Sequence, residues 1–110
     1  MTQADYVLIE SRDPFDCADT AFVADTATAL AARGRAVTVY LVQNGVLAGR
    51  AGARGSQVPR LTAAGVTVLA DDFSLRERGI PADRLAAQVA PAPLEAVIDR
   101  LAAGVKTLWN

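Results

Sequence analysis

Short, continuous apolar runs separated by helical segments constrain the fold of this chain more than any other feature. The clearest runs are residues 6–9, 37–42 and 66–70, and each ends at a polar turn. Continuous runs of this length are typical of strands buried on both faces, as in parallel sheets. The alternation of such strands with helices therefore predicts one α/β domain over residues 1–110. We expect three α/β/α layers around a five-stranded, mainly parallel sheet.

The first helix is predicted over residues 17–33. Asp16 is its expected N-cap, Asp19 in the first turn complements the helix dipole, and Gly34 ends the helix. The apolar residues at helical spacing predict its buried stripe: Val23, Ala27, Leu30 and Ala31, extended by Phe22 and Ala29.

The remaining elements follow from shorter patterns. Pro91 is expected to limit the fourth strand, and Pro93 suits the first turn of the last helix. That helix has the strongest helical pattern of the chain, carried by Leu94, Val97, Ile98, Leu101 and Ala102. The predicted elements are short helices over 58–65 and 73–78, strands over 87–90 and 105–109, and a possible short helix at 46–48.

Composition excludes several classes of function. The net charge is −1 and no long basic run occurs, so nucleic acid is not an expected partner, whereas self-association is permitted. The chain has one cysteine and no histidine. An internal disulfide, an ordinary zinc site and a histidine-based triad are therefore excluded, and we expect no metal and no cofactor.

No targeting or membrane-spanning signal is visible. The first residues lack a basic region followed by a long apolar stretch, and no apolar run approaches the roughly 20 residues needed to cross a bilayer. The expectation is a cytoplasmic protein that does not enter a membrane.

Two adjacent carboxylates, Asp71 and Asp72, follow the third predicted strand and precede Ser74. A carboxylate dyad would offer a general acid beside a general base. The alternative is that one carboxylate caps the following short helix while the other is solvated and pairs with Arg76. We favour the capping interpretation.

Cys17 lies at the predicted start of the first helix, where the dipole favours a thiolate. Asp13, Asp16 and Asp19 oppose that effect. In a parallel sheet the first turn and the turn after the third strand share an edge, so Cys17 is placed within reach of Asp71. A small, half-buried thiol without chemistry is the favoured interpretation.

The segment 45–56 and Trp109 each have both a functional and a structural interpretation. The glycine- and arginine-rich segment 45–56 could bind phosphate through Arg50 or Arg54, but its spacing matches no known phosphate loop and predicts a mobile loop. Trp109, near Lys106 on the last strand, is a candidate subunit contact or an ordinary sheet residue.

The order of motifs along nearly the whole chain resembles the DsrE/DsrF/TusD-like (DsrEFH) sulfur-relay family. The matching pieces are residues 32–34 (Ala-Arg-Gly) after the first helix, 44–46 (Asn-Gly-Val), 61–68 (Leu-Thr-Ala-Ala-Gly-Val-Thr-Val), 78–80 (Arg-Gly-Ile) and the final leucine-containing helix and strand. The resemblance implies a three-layer parallel α/β fold, assembly as homomeric or mixed trimers or hexamers, and possible contact with a sulfur-carrier protein.

The same resemblance places Asp71 where sulfur-carrying members have their cysteine, and Ser74 where some members have a second one. A carboxylate cannot hold a persulfide, because sulfur transfer needs a thiolate. We therefore expect a non-catalytic oligomeric subunit or binding protein linked to sulfur metabolism. Its expected pocket comprises Arg12, Asn44, Asp71, Asp72 and Ser74. The alternatives are a sulfur carrier that uses Cys17 and a carboxylate enzyme at Asp71 and Asp72.

Overall fold

A computed structural model describes residues 5–15 and 17–110. Its sheet has the order β4-β3-β2-β1-β5, and every neighbouring pair of strands is parallel. This confirms the predicted parallel α/β architecture. The strands are β1 (Tyr6–Glu10), β2 (Val37–Leu41), β3 (Thr67–Asp71), β4 (Val89–Ala92) and β5 (Lys106–Trp109).

The helices lie between the strands in the predicted order. They are α1 (Thr20–Ala32), α2 (Val58–Ala63), α3 (Asp72–Glu77) and α4 (Glu95–Ala102), with short 3-10 segments at Gln43–Gly49 and Ala82–Arg84. The longest helix, α1, has 13 residues, and within the described residues no helix combines the length and apolar character needed to span a membrane.

The sheet separates two apolar clusters, because successive side chains of a strand point to opposite faces. Leu8, Val39 and Val68 pack on one face with residues of α1 and α2. Val7 and Tyr40 pack on the other face with Val97 of α4. The molecule therefore has three layers, but the second face is covered by a helix of only eight residues.

The start of α1 differs from the prediction. The helix begins at Thr20, so Asp19 occupies the N-cap position without a side-chain capping bond and is not in the first helical turn. The Thr20 hydroxyl instead donates to the Cys17 carbonyl at 3.1 Å. The predicted cap Asp16 lies outside the described residues. Phe22, assigned to the buried stripe, is 69% exposed because the stripe is centred on Val23, Ala24 and Ala27.

Pro91 does not limit the fourth strand as predicted. It lies inside β4, where it pairs with Ala70 of β3. A strand at the edge of a sheet tolerates proline, because one side of its backbone needs no hydrogen-bond donor. The strand consequently runs two residues further than the apolar pattern predicts.

Most of the apolar side chains predicted for the stripe of the last helix are not buried against the sheet. Val97 is buried, whereas Leu94, Ile98 and Leu101 remain 52%, 52% and 51% exposed. Trp109, on the edge strand β5, is 70% exposed. The second face of the molecule therefore presents large apolar side chains to solvent.

Candidate functional site

The carboxyl ends of β1, β2 and β3 lie side by side, since these strands are parallel neighbours. The turns that follow them carry most of the residues selected from the sequence. This edge is where an open α/β sheet usually places its functional groups. Two separate polar clusters occupy it.

The first cluster is a buried hydrogen-bond network centred on Asp71. The Tyr40 hydroxyl donates to one carboxylate oxygen of Asp71 at 2.7 Å. The other oxygen accepts from the backbone N–H of Ser74 at 2.9 Å and from its hydroxyl at 2.6 Å. Asp71 and Ser74 are only 5% and 3% exposed. Asp71 thus caps α3 while both of its oxygens are already occupied.

The network also connects the turns after β2 and β3. The Ser74 hydroxyl oxygen accepts from the backbone N–H of Gln43 at 2.8 Å. Gln43 has a φ of 54°, a left-handed conformation that is uncommon for a residue with a side chain. The bond from the Gln43 N–H to Ser74 therefore holds a strained backbone at the point where β2 ends.

Hydrogen bonding determines the charge state of this cluster. Burial alone would raise the pKa of Asp71, but the bonds from the Ser74 hydroxyl, the Tyr40 hydroxyl and the Ser74 N–H outweigh it and hold that pKa below its usual value. Burial and the bond to the Asp71 carboxylate raise the pKa of Tyr40. Asp71 is therefore an ionised acceptor beside a protonated phenol.

Asp72 makes no side-chain hydrogen bond to this network among the described residues. Its carboxylate lies 3.9 Å from the Arg76 guanidinium, one turn further along α3, and both side chains are substantially exposed. No hydrogen bond joins the two adjacent carboxylates among the described residues. The geometry corresponds to a cap and a solvated ion pair, without a catalytic dyad.

Asn44 is linked to the same turn through an arginine that sequence reasoning did not select. Arg78 donates from Nε to the Asn44 side-chain oxygen at 3.1 Å and from its guanidinium to the Ser74 carbonyl at 3.3 Å. Three members of the expected pocket, Asn44, Asp71 and Ser74, therefore lie in one hydrogen-bonded region. They tie loops together and do not line an open cavity at the Asp71 carboxylate.

The second cluster surrounds Glu10 at the end of β1. The Asn110 side chain donates to both Glu10 carboxylate oxygens, at 3.0 and 3.1 Å. The Arg12 backbone N–H donates to the same carboxylate at 3.0 Å. Burial raises the pKa of Glu10, and the bonds from Asn110 and Arg12 only partly offset that effect.

Arg12 and Cys17 belong to this second cluster. The Arg12 guanidinium lies 3.9 Å from the Cys17 sulfur. Glu10 and Arg12 also border an apolar cavity of about 20 Å³ beneath α1. Such a volume accommodates about one water molecule and excludes a larger ligand.

The sequence places Cys17 within reach of Asp71, but among the described residues the recorded side-chain contact of Cys17 is with Arg12 and not with Asp71 or Ser74. Glu10 shares its sheet face with Leu8, which packs against α1, whereas Asp71 shares its face with Leu69 and Tyr40, which pack towards α4. The two clusters therefore lie at one edge but on opposite sides of the sheet. Side chains at the same edge of a sheet are kept apart when they point to opposite faces of it, because successive residues of a strand alternate between the two faces.

Sequence reasoning missed Tyr40, Gln43, Glu10 and Asn110. Tyr40 is part of an apolar run, and only the strand register shows that its hydroxyl reaches Asp71. Glu10 did carry a usable signal, because a carboxylate directly after a buried strand needs a hydrogen-bond partner. Its partner, Asn110, is 100 residues away in the chain and carries no local signal.

No family model and no curated protein sequence matches this chain. Its fold does match solved structures. The crystal structure of the ychN protein from E. coli aligns with a TM-score of 0.87 at 20% identity, over 98% of this chain and 100% of that one. The chain has the fold of ychN.

Two other solved structures share this fold. MTH1491 from Methanobacterium thermoautotrophicum, titled a protein of unknown function, aligns with a TM-score of 0.76 at 20% identity, over 96% of each chain. BT1422 from Bacteroides thetaiotaomicron, titled a conserved protein of unknown function, aligns with a TM-score of 0.76 at 18% identity, over 96% of this chain and 95% of that one. At these identities the likeness establishes the fold, and function must be argued from the residues.

Proposed function

We propose that this protein is a non-catalytic, oligomeric DsrE-like subunit, linked to sulfur metabolism through binding of a partner protein or a small ligand. The observation that carries the proposal is the burial, charge and hydrogen bonding of the Asp71 carboxylate. It stands where sulfur-carrying members of the family it resembles have a cysteine, and it is buried, ionised and bonded through both oxygens. A carboxylate in this setting is a structural group.

The same state argues against a carboxylate enzyme. A general acid needs a proton to donate, and a general base needs a free lone pair near the substrate. The lowered pKa of Asp71 removes the proton, and Tyr40 and Ser74 occupy its oxygens. Asp72 is paired with Arg76 on the surface of α3.

Cys17 has little support as a replacement sulfur carrier. Cys17 is not among the residues that line the neighbouring cavity, which holds about one water molecule. The sulfur has one cationic neighbour, Arg12, at 3.9 Å, which is longer than a strong hydrogen bond. This arrangement is typical of a half-buried structural thiol.

Intact mass spectrometry tests the non-catalytic assignment. The native protein, the same protein unfolded in urea and a Cys17→Ser variant are incubated with glutathione persulfide. We expect the native protein to gain sulfur no faster than the unfolded chain, because the fold does not activate the thiol. Faster loading of the native protein, lost in Cys17→Ser and followed by transfer to an acceptor thiol, would show that the protein is a sulfur carrier.

Self-association is the second part of the proposal. It is supported by the exposed apolar side chains of α4 and β5, by the net charge of −1, and by the trimers and hexamers that the family resemblance implies. Size-exclusion chromatography with light scattering should give the mass of a trimer or hexamer at micromolar concentration. A monomer under those conditions would contradict this part of the proposal.

A further inference from the structure

A groove lined by four arginines lies on the surface beside the first polar cluster, to which Arg78 is hydrogen-bonded. Its volume is about 770 Å³, and it is bounded by the turn at residues 50–54 and the connector at 78–84. One carboxylate, that of Asp83, lies among its lining residues. The protein as a whole has a net charge of −1, so this is a local concentration of positive charge. The arginines are Arg50, Arg54, Arg78 and Arg84.

Among the described residues, no ion pair holds the four groove arginines, and Asp83 is the carboxylate that lines the groove with them. Within residues 5–15 and 17–110, the ion pairs join Arg60 to Asp25 and Arg76 to Asp72, and neither pair lies in the groove. The side chains of Arg54 and Arg84 make no hydrogen bond to the described part of the chain, and both residues are exposed. Four arginines beside one carboxylate leave an excess of positive charge, which raises the local concentration of anions.

The two walls of the groove are joined by backbone hydrogen bonds. The N–H of Ala51 donates to the Arg84 carbonyl at 2.8 Å, and the N–H of Ala86 donates to the Gly49 carbonyl at 2.9 Å. Arg50 and Leu85 form an antiparallel bridge between the same segments. The arginine-rich segment, predicted as a mobile loop, is therefore attached to a connector that is distant in sequence. The groove has a defined shape before any ligand binds.

Two of the arginines are also held in place by the protein. Arg50 donates from Nε to the Leu47 carbonyl at 2.9 Å. Arg78 donates to the Asn44 side chain and to the Ser74 carbonyl, which leaves part of its guanidinium unbonded. Fixed guanidinium groups lose less entropy on binding than flexible ones and suit bidentate contacts to phosphate.

We propose that this groove binds a small organic molecule carrying more than one phosphate charge. Arginine forks match phosphate geometry, and the volume lies in the range of small-molecule sites. Ile80 and Pro81 add apolar surface for the organic part of the ligand. A long nucleic acid fits less well, because a polyanion extending beyond the groove would meet a surface where arginines are balanced by carboxylates, as in the Arg60–Asp25 pair.

Isothermal titration calorimetry at low ionic strength tests the proposal, with inorganic diphosphate and ADP as probes and adenosine as the uncharged comparison. The test variant is Arg54→Gln with Arg84→Gln, since neither side chain supports the fold. The matched control is Arg33→Gln with Arg35→Gln, which removes the same charge from exposed residues after α1. Thermal melts establish that all three proteins are folded.

We expect diphosphate and ADP to bind the wild type and the control variant alike, and adenosine to leave no signal. The test variant should lose at least about tenfold in affinity for both phosphate probes, as expected for the loss of charged hydrogen bonds. Absence of diphosphate and ADP binding to the wild type would overturn the proposal. An equal loss in the control variant would also overturn it, because the binding would then follow total charge. A short RNA could also bind more tightly than ADP. If the test variant and the control variant both weakened that binding, the ligand would be a nucleic acid that contacts a wider surface than the groove.

Discussion

Asp71 shows at the scale of one residue how a buried carboxylate can support the fold. Its carboxylate is buried, yet three donors from Tyr40 and Ser74 stabilise the charged form. A buried charge is costly only when such partners are missing. The network therefore retains an ionised group at the edge of the sheet without making it available to a substrate.

Substitution Asp71→Asn tests this structural role. Asparagine keeps the shape but loses the charge and one of the acceptor oxygens, so we expect the free energy of unfolding to fall by about 1–3 kcal/mol. Asp72→Asn is the matched control, because its exposed pair with Arg76 should change stability by no more than about 0.5 kcal/mol. Urea denaturation monitored by circular dichroism measures both. Equal effects of the two substitutions would mean that the buried network does not stabilise the fold.

The two buried carboxylates predict opposite dependences of stability on pH. The pKa of Asp71 is lowered from 3.8, so its contribution is complete above that value and is lost as the pH falls through the folded-state pKa. The pKa of Glu10 is raised from 4.5, so its contribution is complete below 4.5 and is lost as the pH rises through the folded-state pKa.

Unfolding titrations across the acidic range can separate these contributions. The variant Glu10→Gln should lack the decline in stability that begins above pH 4.5, while keeping the loss at lower pH. The variant Asp71→Asn should show the reverse pattern. If Glu10→Gln leaves the whole pH profile unchanged, Glu10 does not titrate differently in the folded and unfolded states.

At the scale of elements, the 3-10 segment Gln43–Gly49 is packed directly against the end of β1. Gly45 is buried there, and a Cβ atom at this position would overlap the Glu10 carbonyl oxygen and lie 2.9 Å from the carbonyl carbon. The obstacle is backbone, which cannot move as a flexible side chain can. The close approach keeps the turn after β2 beside the carboxyl end of β1.

Gly45→Ala should therefore lower the free energy of unfolding by about 1–3 kcal/mol, the usual cost of overpacking. Gly49→Ala is the control, because its Cβ would meet only side-chain atoms, the nearest being Leu41 Cδ1 at 3.4 Å. The midpoint of urea unfolding should shift strongly in the first variant and much less in the second. Similar shifts would show that the contact with Glu10 relaxes readily.

The whole molecule has two unequal faces. In the described part of the chain, one side of the sheet is covered by α1 and α2 and the other by α4. The exposed flank of α4 carries Ile98 and Leu101, with Leu94 directly before the helix. A soluble protein seldom leaves several large apolar side chains unpartnered on one element. A second copy of this chain is the proposed partner for that flank.

Ile98→Lys should therefore shift the protein towards a monomer in light scattering, because burying an unpaired ammonium group at an interface is costly. Phe22→Lys is the control, since Phe22 is exposed on α1, on the opposite face of the sheet. Its mass should equal that of the wild type. An unchanged mass for Ile98→Lys, or dissociation by Phe22→Lys alone, would place the interface elsewhere.

The sequence alone was enough to predict the order and type of the elements. Runs such as residues 37–42 are almost continuously apolar, which is typical of strands in a parallel sheet covered on two sides. The short helix after the third strand is likewise predicted with an aspartate cap, and Asp71 is that cap. Periodicity and capping are local properties, so they are readable without coordinates. The boundary errors at Asp19 and Pro91 arose where a turn or an edge strand overrode the local pattern.

The tertiary structure decided which of these elements' side chains meet. It placed Asp71 with Tyr40 and Cys17 with Arg12 on opposite sides of one sheet, and it joined residues 50–54 to 78–84 as the walls of a groove. Those contacts depend on strand register and on which face each side chain takes. A shift of one residue in register reverses the face, so hydrophobic periodicity in a strand buried on both sides does not contain that information.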